Sequence, residues 1–156
     1  MKKPSLERMA HISQVISSIA ILISLIYAVY EYNRVNTLTN RDAEDAIFQR
    51  VQEMEQLLIE NPDMALIVLK AGEVPEQLLP EEQLRYLAYD HIFYDSWESA
   101  WNYYKQGILE EAKWDSWNRW FQMEFLKKPL LSWEGNREHY DGEFLLQVDA
   151  LASTRR

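Results

Sequence analysis

Residues 12–30 read ISQVISSIAILISLIYAVY, nineteen consecutive positions without a charge. As a helix rising 1.5 Å per residue they reach about 28 Å, close to the ~30 Å thickness of bilayer hydrocarbon. Ser13, Ser17, Ser18 and Ser24 interrupt the apolar run. A helical serine can donate its hydroxyl to a carbonyl one turn back, so they do not forbid a span. Tyr27, Tyr30 and Tyr32 gather at the downstream end, where rings with a polar tip favour the headgroup layer. The stretch is therefore read as an uncleaved transmembrane helix over residues 12–32. A cleaved signal peptide would also begin with a basic stub and an apolar run, but the following YAVYEYNRVN offers no small-x-small cleavage site. A buried soluble helix is the other competing reading, and the cluster of aromatics at the exit weighs against it.

The flanks complete this picture. Residues 1–11 form a basic N-terminal stub, residues 33–40 a juxtamembrane linker or a continuation of the helix, and residues 41–156 an acidic domain. Lys2, Lys3 and Arg8 stand upstream against Arg34 and Arg41 just downstream. Three against two is a weak preference for an inside N-terminus, so the side of the soluble domain stays open. The expected location is the plasma (inner) membrane, crossed once. Ala20, Ser24 and Ala28 recur at every fourth residue, a spacing that lets two membrane helices approach closely. They are the candidate contact face for self-association; the alternative is ordinary filler.

Charge narrows the partners. From Glu31 onward the chain holds 24 of its 25 acids but only 13 of its 16 lysines and arginines. Nucleic-acid binding requires clustered positive charge, and a domain with this balance is a poor prospect for it. Cysteine is absent, which excludes disulfides and thiolate metal sites.

Beyond the membrane segment the pattern is helical throughout. Ala43, Ile47, Val51, Met54 and Leu58 make one apolar stripe. Asn61-Pro62-Asp63 predicts a restart, with asparagine capping, proline at the first helical position and aspartate at the positive helix end. A short helix follows to Gly72, then a turn between Pro75 and Pro80. A long helix runs from Pro80 towards Gln106, with Leu84, Leu87, His91, Tyr94, Trp101 and Tyr104 on a broad face. Gly107 breaks it, and another helix spans about residues 108–126 before Lys127, Lys128 and Pro129 end it. A short loop or helix through Trp133 and a last helix over about 141–151 close the chain. No sustained alternation or hairpin signal appears. The expected fold is all-α: an N-terminal transmembrane helix followed by a four- or five-helix antiparallel bundle.

Five of the six tryptophans, Trp97, Trp101, Trp114, Trp117 and Trp120, fall between residues 86 and 125. A helical aromatic stripe reads first as core. These rings nevertheless exceed what one small core easily hides, so they are the candidate partner interface. Asp90, His91, Asp95 and Glu98 invite comparison with a metal site, but the chain lacks Glu-x-x-His, and only His11 and His139 remain as further histidines. Glu134, Glu138, His139 and Asp141 have no spacing that demands acid–base work. Nucleophile elbow, phosphate loop and dinucleotide loop are all missing. No metal, no cofactor and no catalytic activity are expected.

Pro129, Trp133, Arg137 and Phe144, together with the Asn61-Pro62-Asp63 restart, give the chain a resemblance. It is similar to uncharacterised bacterial single-pass membrane proteins with a small C-terminal helical domain. The resemblance extends over nearly the whole chain and implies no activity. From the residues themselves, Arg137 is placed to clamp a carboxylate between the last two helices while Trp133 and Phe144 close the bundle end. The function expected is a membrane-anchored interaction module, self-associating, that scaffolds or regulates a protein partner. The alternative is an oligomeric pore or membrane-perturbing effector, which requires a polar stripe such as Ser17 and Ser24 could supply.

Overall fold

The computed structural model describes residues 6–155, with side chains from Met9 onward; Lys2 and Lys3 of the basic stub lie outside the described residues. The fold is all-α, one long helix that is apolar near the N-terminus followed by a five-helix bundle. Helix α1 (Leu6–Glu60) is unbroken, so residues 33–40 are helical. By internal contacts the chain divides into residues 1–39 and 40–156, and the boundary falls inside α1.

In the first unit every side chain from Met9 to Tyr30 is exposed, including Ile16 at 61% and Ile26 at 69%. Ser18 and Ser24 donate their hydroxyls to the carbonyls of Gln14 (2.9 Å) and Ala20 (2.8 Å), the return to the preceding turn expected of helical serine.

The second unit begins with the end of α1, whose Ala43, Ile47, Val51 and Met54 are buried. Then come α2 (Pro62–Glu73), a 3-10 turn (Pro75–Gln77), α3 (Pro80–Lys105), α4 (Glu111–Lys127), α5 (Leu130–Asn136), a second 3-10 turn (Arg137–His139) and α6 (Gly142–Ser153). Helix α3 is the central element. Arg50 of α1 meets its Ser99, Lys70 of α2 its Glu82, Asn118 of α4 its Trp97, and Ser132 of α5 its Asp90 and Tyr94.

The face that α3 buries is broad, as its spacing suggested, but it is turned from the one expected. The buried residues are Tyr86, Tyr89, Asp90, Phe93, Tyr94, Ser96, Trp97 and Ala100, which at about 100° per residue fall on one face covering a little under half the circumference. Leu84, assigned to the core face from spacing, is 70% exposed. Packing is aromatic throughout: Trp97 stacks on Phe121 with centroids 5.7 Å apart, and Trp133 stacks on Tyr140 at 5.7 Å.

The breaks follow local chemistry. Gly107 adopts φ +70°, and Ile108 and Gly107 donate to the carbonyls of Tyr103 and Tyr104, the left-handed C-terminal closure that favours glycine. Asn61 behaves differently from expectation. Its side chain caps no N–H of α2; its Nδ2 instead donates to the Leu57 carbonyl at 3.0 Å. A single residue separates α1 from α2, so the Asn61 side chain lies within reach of the last turn of α1, where the Leu57 carbonyl accepts from both Asn61 N (3.1 Å) and Nδ2. Pro62 does occupy the first turn of α2, and the Asn61 backbone carbonyl accepts from Met64 and Ala65. Helix α2 runs one residue past Gly72, and α4 starts at Glu111 rather than near 108.

Candidate functional site

Helix α3 carries a chain of buried polar groups towards α5. The Asp90 carboxylate, fully buried, accepts from Lys128 Nζ at 2.6 Å and from Ser132 Oγ at 2.5 Å. Because the Ser132 proton is committed to Asp90, the Tyr94 hydroxyl is the donor in its 2.8 Å contact with Ser132. Lys128 also lies over the Phe93 ring, 4.6 Å from the centroid. Burial, then the charge of Asp90, holds the phenols of Tyr86 and Tyr89 well above the usual tyrosine range. Among the described residues no buried side-chain nitrogen or oxygen lacks a partner, so this network is closed on itself. The sequence showed Lys128 only as a favourable charge at a helix end; its partner 38 residues upstream carried no local signal.

Beginning at the next residue of α3, a second cluster reaches the surface. His91 Nδ1 lies 3.3 Å from Asn136 Oδ1 and 3.3 Å from the Tyr140 hydroxyl, and its Nε2 lies 3.5 Å from Asp95 Oδ2. Tyr140 donates to Asp95 Oδ1 at 2.9 Å. The His139 ring stands edge-on to His91 with centroids 4.8 Å apart. Burial, and then Asp95 and Asp141, raise the Glu98 carboxyl above its ordinary range. Among the described residues no three histidine or acidic side chains are grouped so as to hold a metal ion.

The third feature lies between α5 and α6. Arg137 grips Asp149 through Nε (3.3 Å to Oδ1) and Nη2 (2.5 Å to Oδ2), and Trp133 Nε1 donates to the same carboxylate at 2.7 Å. Phe144 is buried against Trp97 and Tyr140. Pro129 stands immediately before α5, and its carbonyl accepts from Ser132 N. Beside the clamp is a hollow of about 380 Å³ lined by Trp133, Glu134, Arg137, Asp149, Ala152 and Ser153. The arrangement fastens the last helix; both ends of the clamp are engaged with each other.

The five tryptophans separate by burial. Trp97 is fully buried and hydrogen-bonded to Asn118, and Trp114 is buried against Trp101 and Tyr104. These two are core, the first reading of a helical aromatic stripe. Their helical spacing is the same as that of their exposed neighbours, so spacing alone could not tell them apart. Trp101, Trp117 and Trp120 are partly exposed. Ala20, Ser24 and Ala28 are all exposed on α1, with the Ser24 proton directed to its own helix. Compared with family models, with curated proteins and with solved structures, the chain matches none.

Proposed function

We propose that the protein is a membrane-anchored helical interaction module: α1 crosses the plasma membrane once, and the acidic bundle binds a protein partner or further copies of itself at that surface. The observation that carries this reading is the uncharged stretch from Ile12 to Tyr30, exposed along its whole length. Each large apolar side chain left in water forfeits about 1.5–3 kcal/mol, so a run of this length favours a bilayer by tens of kcal/mol. A binding role rather than a catalytic one is supported by the sealed network around Asp90, whose functional groups are fully used on one another. The flat face of Ala20, Ser24 and Ala28 supports close approach of two copies, and the partly exposed Trp101, Trp117 and Trp120 support a protein contact on the domain. Of the Ser17 and Ser24 stripe that a conducting pore would need, the Ser24 proton is turned back onto α1.

Extraction of native membranes at alkaline pH tests the anchor, with release of intact protein as the outcome against it. Native mass determination in mild detergent tests self-association. More than one copy per complex is expected, and changing Ala20, Ser24 and Ala28 to leucine should reduce it.

A further inference from the structure

A groove runs along the outside of the bundle between α1 and α3. Arg50 of α1 reaches Ser99 of α3, and Leu57 lines the same hollow as Ile92, so the two helices pass each other antiparallel. Two hollows of about 320 and 300 Å³ share Leu57 and Ile92 and run together as one groove. Its floor is largely apolar, made by Leu57, Met64, Ala88, Tyr89 and Ile92. Glu53 and Glu60 stand on the α1 wall, two helical turns and about 10 Å apart. Glu60 accepts from Gln56, and neither acid has an ion pair among the described residues. Arg85, on the α3 wall, is the one base among the lining residues.

The same chain carries the complement. Met123 and Leu126 on α4 are large apolar side chains left 54% and 47% exposed. Arg119 and Lys127 flank them; all four fall within about 100° of one helix face, and the two bases stand about 12 Å apart along it. Lys127 holds only Glu124 of its own helix, an exposed pair of little worth and readily exchanged. An apolar ridge edged with bases thus matches an apolar groove edged with acids, in length and in sign. The exposed Leu66 and Leu69 of α2 offer no such match, because Asp63 and Glu73 on the same face would set acid against acid.

We propose that the groove between α1 and α3 of one copy receives the α4 ridge of a second copy, whose Arg119 and Lys127 then face Glu53 and Glu60. Such a contact rests on the self-association already proposed for the anchored chain and adds a domain face to it. Groove and ridge are different surfaces, so the contact is head-to-tail. Each pair leaves one groove and one ridge free, and the copies extend into clusters rather than closing as a symmetric dimer. Two apolar side chains and two ion pairs make a small contact, one that serves copies already concentrated by their anchors at one surface.

The chain contains no cysteine, so single ones report contacts cleanly. Gln56 lies midway between Glu53 and Glu60, and Met123 midway between Arg119 and Lys127, so Gln56→Cys and Met123→Cys probe docking in either direction. Full-length chains of the two kinds are co-reconstituted in phosphatidylcholine vesicles and joined with a short bis-maleimide. The product joining position 56 to position 123 is expected to exceed the two like-to-like products by about fivefold or more. Adding Glu53→Lys and Glu60→Lys to the Gln56→Cys chain should cut it about fivefold or more, and adding Arg119→Glu and Lys127→Glu to the Met123→Cys chain should then restore it. All six changed positions are exposed, and restoration by a second charge reversal excludes misfolding as the cause of the loss. Like-to-like products in equal or greater amount, or a loss that the second reversal leaves in place, overturn the contact. So does position 56 joined in native membranes to a different protein without the mixed product. Several copies by native mass without that product remove this contact alone; single copies remove self-association as well.

Discussion

The residue whose environment departs furthest from expectation is Asp90. A carboxylate with no exposure is tolerable only because Lys128, Ser132 and, through the serine, Tyr94 surround it. Breaking a buried ion pair by removing one member costs about 3–5 kcal/mol, while replacing both members with well-packed apolar side chains can be neutral. Lys128→Met is therefore expected to lower the free energy of unfolding in urea by about 3 kcal/mol or more, because the carboxylate stays behind without its cation. The pair Asp90→Leu with Lys128→Met should recover most of that loss. A double variant as unstable as the sum of its singles would show that the ionic network holds the helices in place through more than charge compensation. Glu98 offers a milder case of opposite sign. Burial first, then Asp95 and Asp141, raise its carboxyl in the folded state, so the folded domain holds that proton longer than the unfolded chain does. Ionised Glu98 accordingly opposes folding above its folded-state range, and the penalty fades as the pH falls through the ordinary carboxylate range. Glu98→Gln should raise the free energy of unfolding in urea slightly at pH 7, by no more than about 0.5 kcal/mol, with a smaller gain at pH 4.

At the level of elements, the places where chain direction changes were the most legible. Pro62, Pro80 and Pro129 each stand at a helix start, and Gly107 takes the positive φ that ends α3. These are local effects, set by a missing N–H or a missing Cβ. The face of α3 was less legible, because polar Asp90 and Ser96 lie on its buried side and apolar Leu84 on its exposed side, which blurs the period. Asp90 and Ser96 are core residues there; the partners of Asp90 are far away in sequence, while Ser96 donates to the Ile92 carbonyl one turn back. The Arg137 clamp could be anticipated only as a donor seeking a carboxylate; nothing local distinguished Asp149 from the neighbouring acids. Gly135 belongs with these hidden contacts. A Cβ built on it would lie 2.6 Å from Leu87 Cδ2, so α5 approaches α3 through the missing side chain. Gly135→Ala ought to gain about 1 kcal/mol of helix propensity but should still destabilise the domain on balance, since overpacking typically costs 1–3 kcal/mol. Adding Leu87→Ala removes the obstacle. If thermal melting shows Gly135→Ala less harmful in the Leu87→Ala background, the close approach is real; an equal effect in both backgrounds would place the strain elsewhere.

At the scale of the whole molecule, the chain assigns its apolar surface to two separate uses. From Met9 to Tyr30 that surface is uncovered, whereas the core begins at Ala43 and reaches Ala152. Every member of the main core cluster lies between Ile47 and Ala152. Among the described residues, removing those up to residue 39 would therefore delete no buried apolar side chain. The rest of α1 would stay fastened by Ile47, Val51 and Met54 and by the bonds of Glu44 to Lys113 and of Arg50 to Ser99. A fragment beginning at Asn40 is expected to be soluble without detergent, helical by far-UV circular dichroism, and to unfold in one cooperative transition with its tryptophan environment intact. Twenty-three acids against 12 lysines and arginines remain in it, so moderate salt should raise its melting temperature by screening self-repulsion. The same fragment locates any self-association. Copies joined through Ala20, Ser24 and Ala28 would leave it monomeric in sedimentation while the full chain in micelles assembles. A fragment that still self-associates would move the contact to the domain, where Trp101, Trp117 and Trp120 are the aromatic side chains to change first. A fragment that fails to fold would mean that the bundle depends on the apolar segment, against the division of the chain at residue 39.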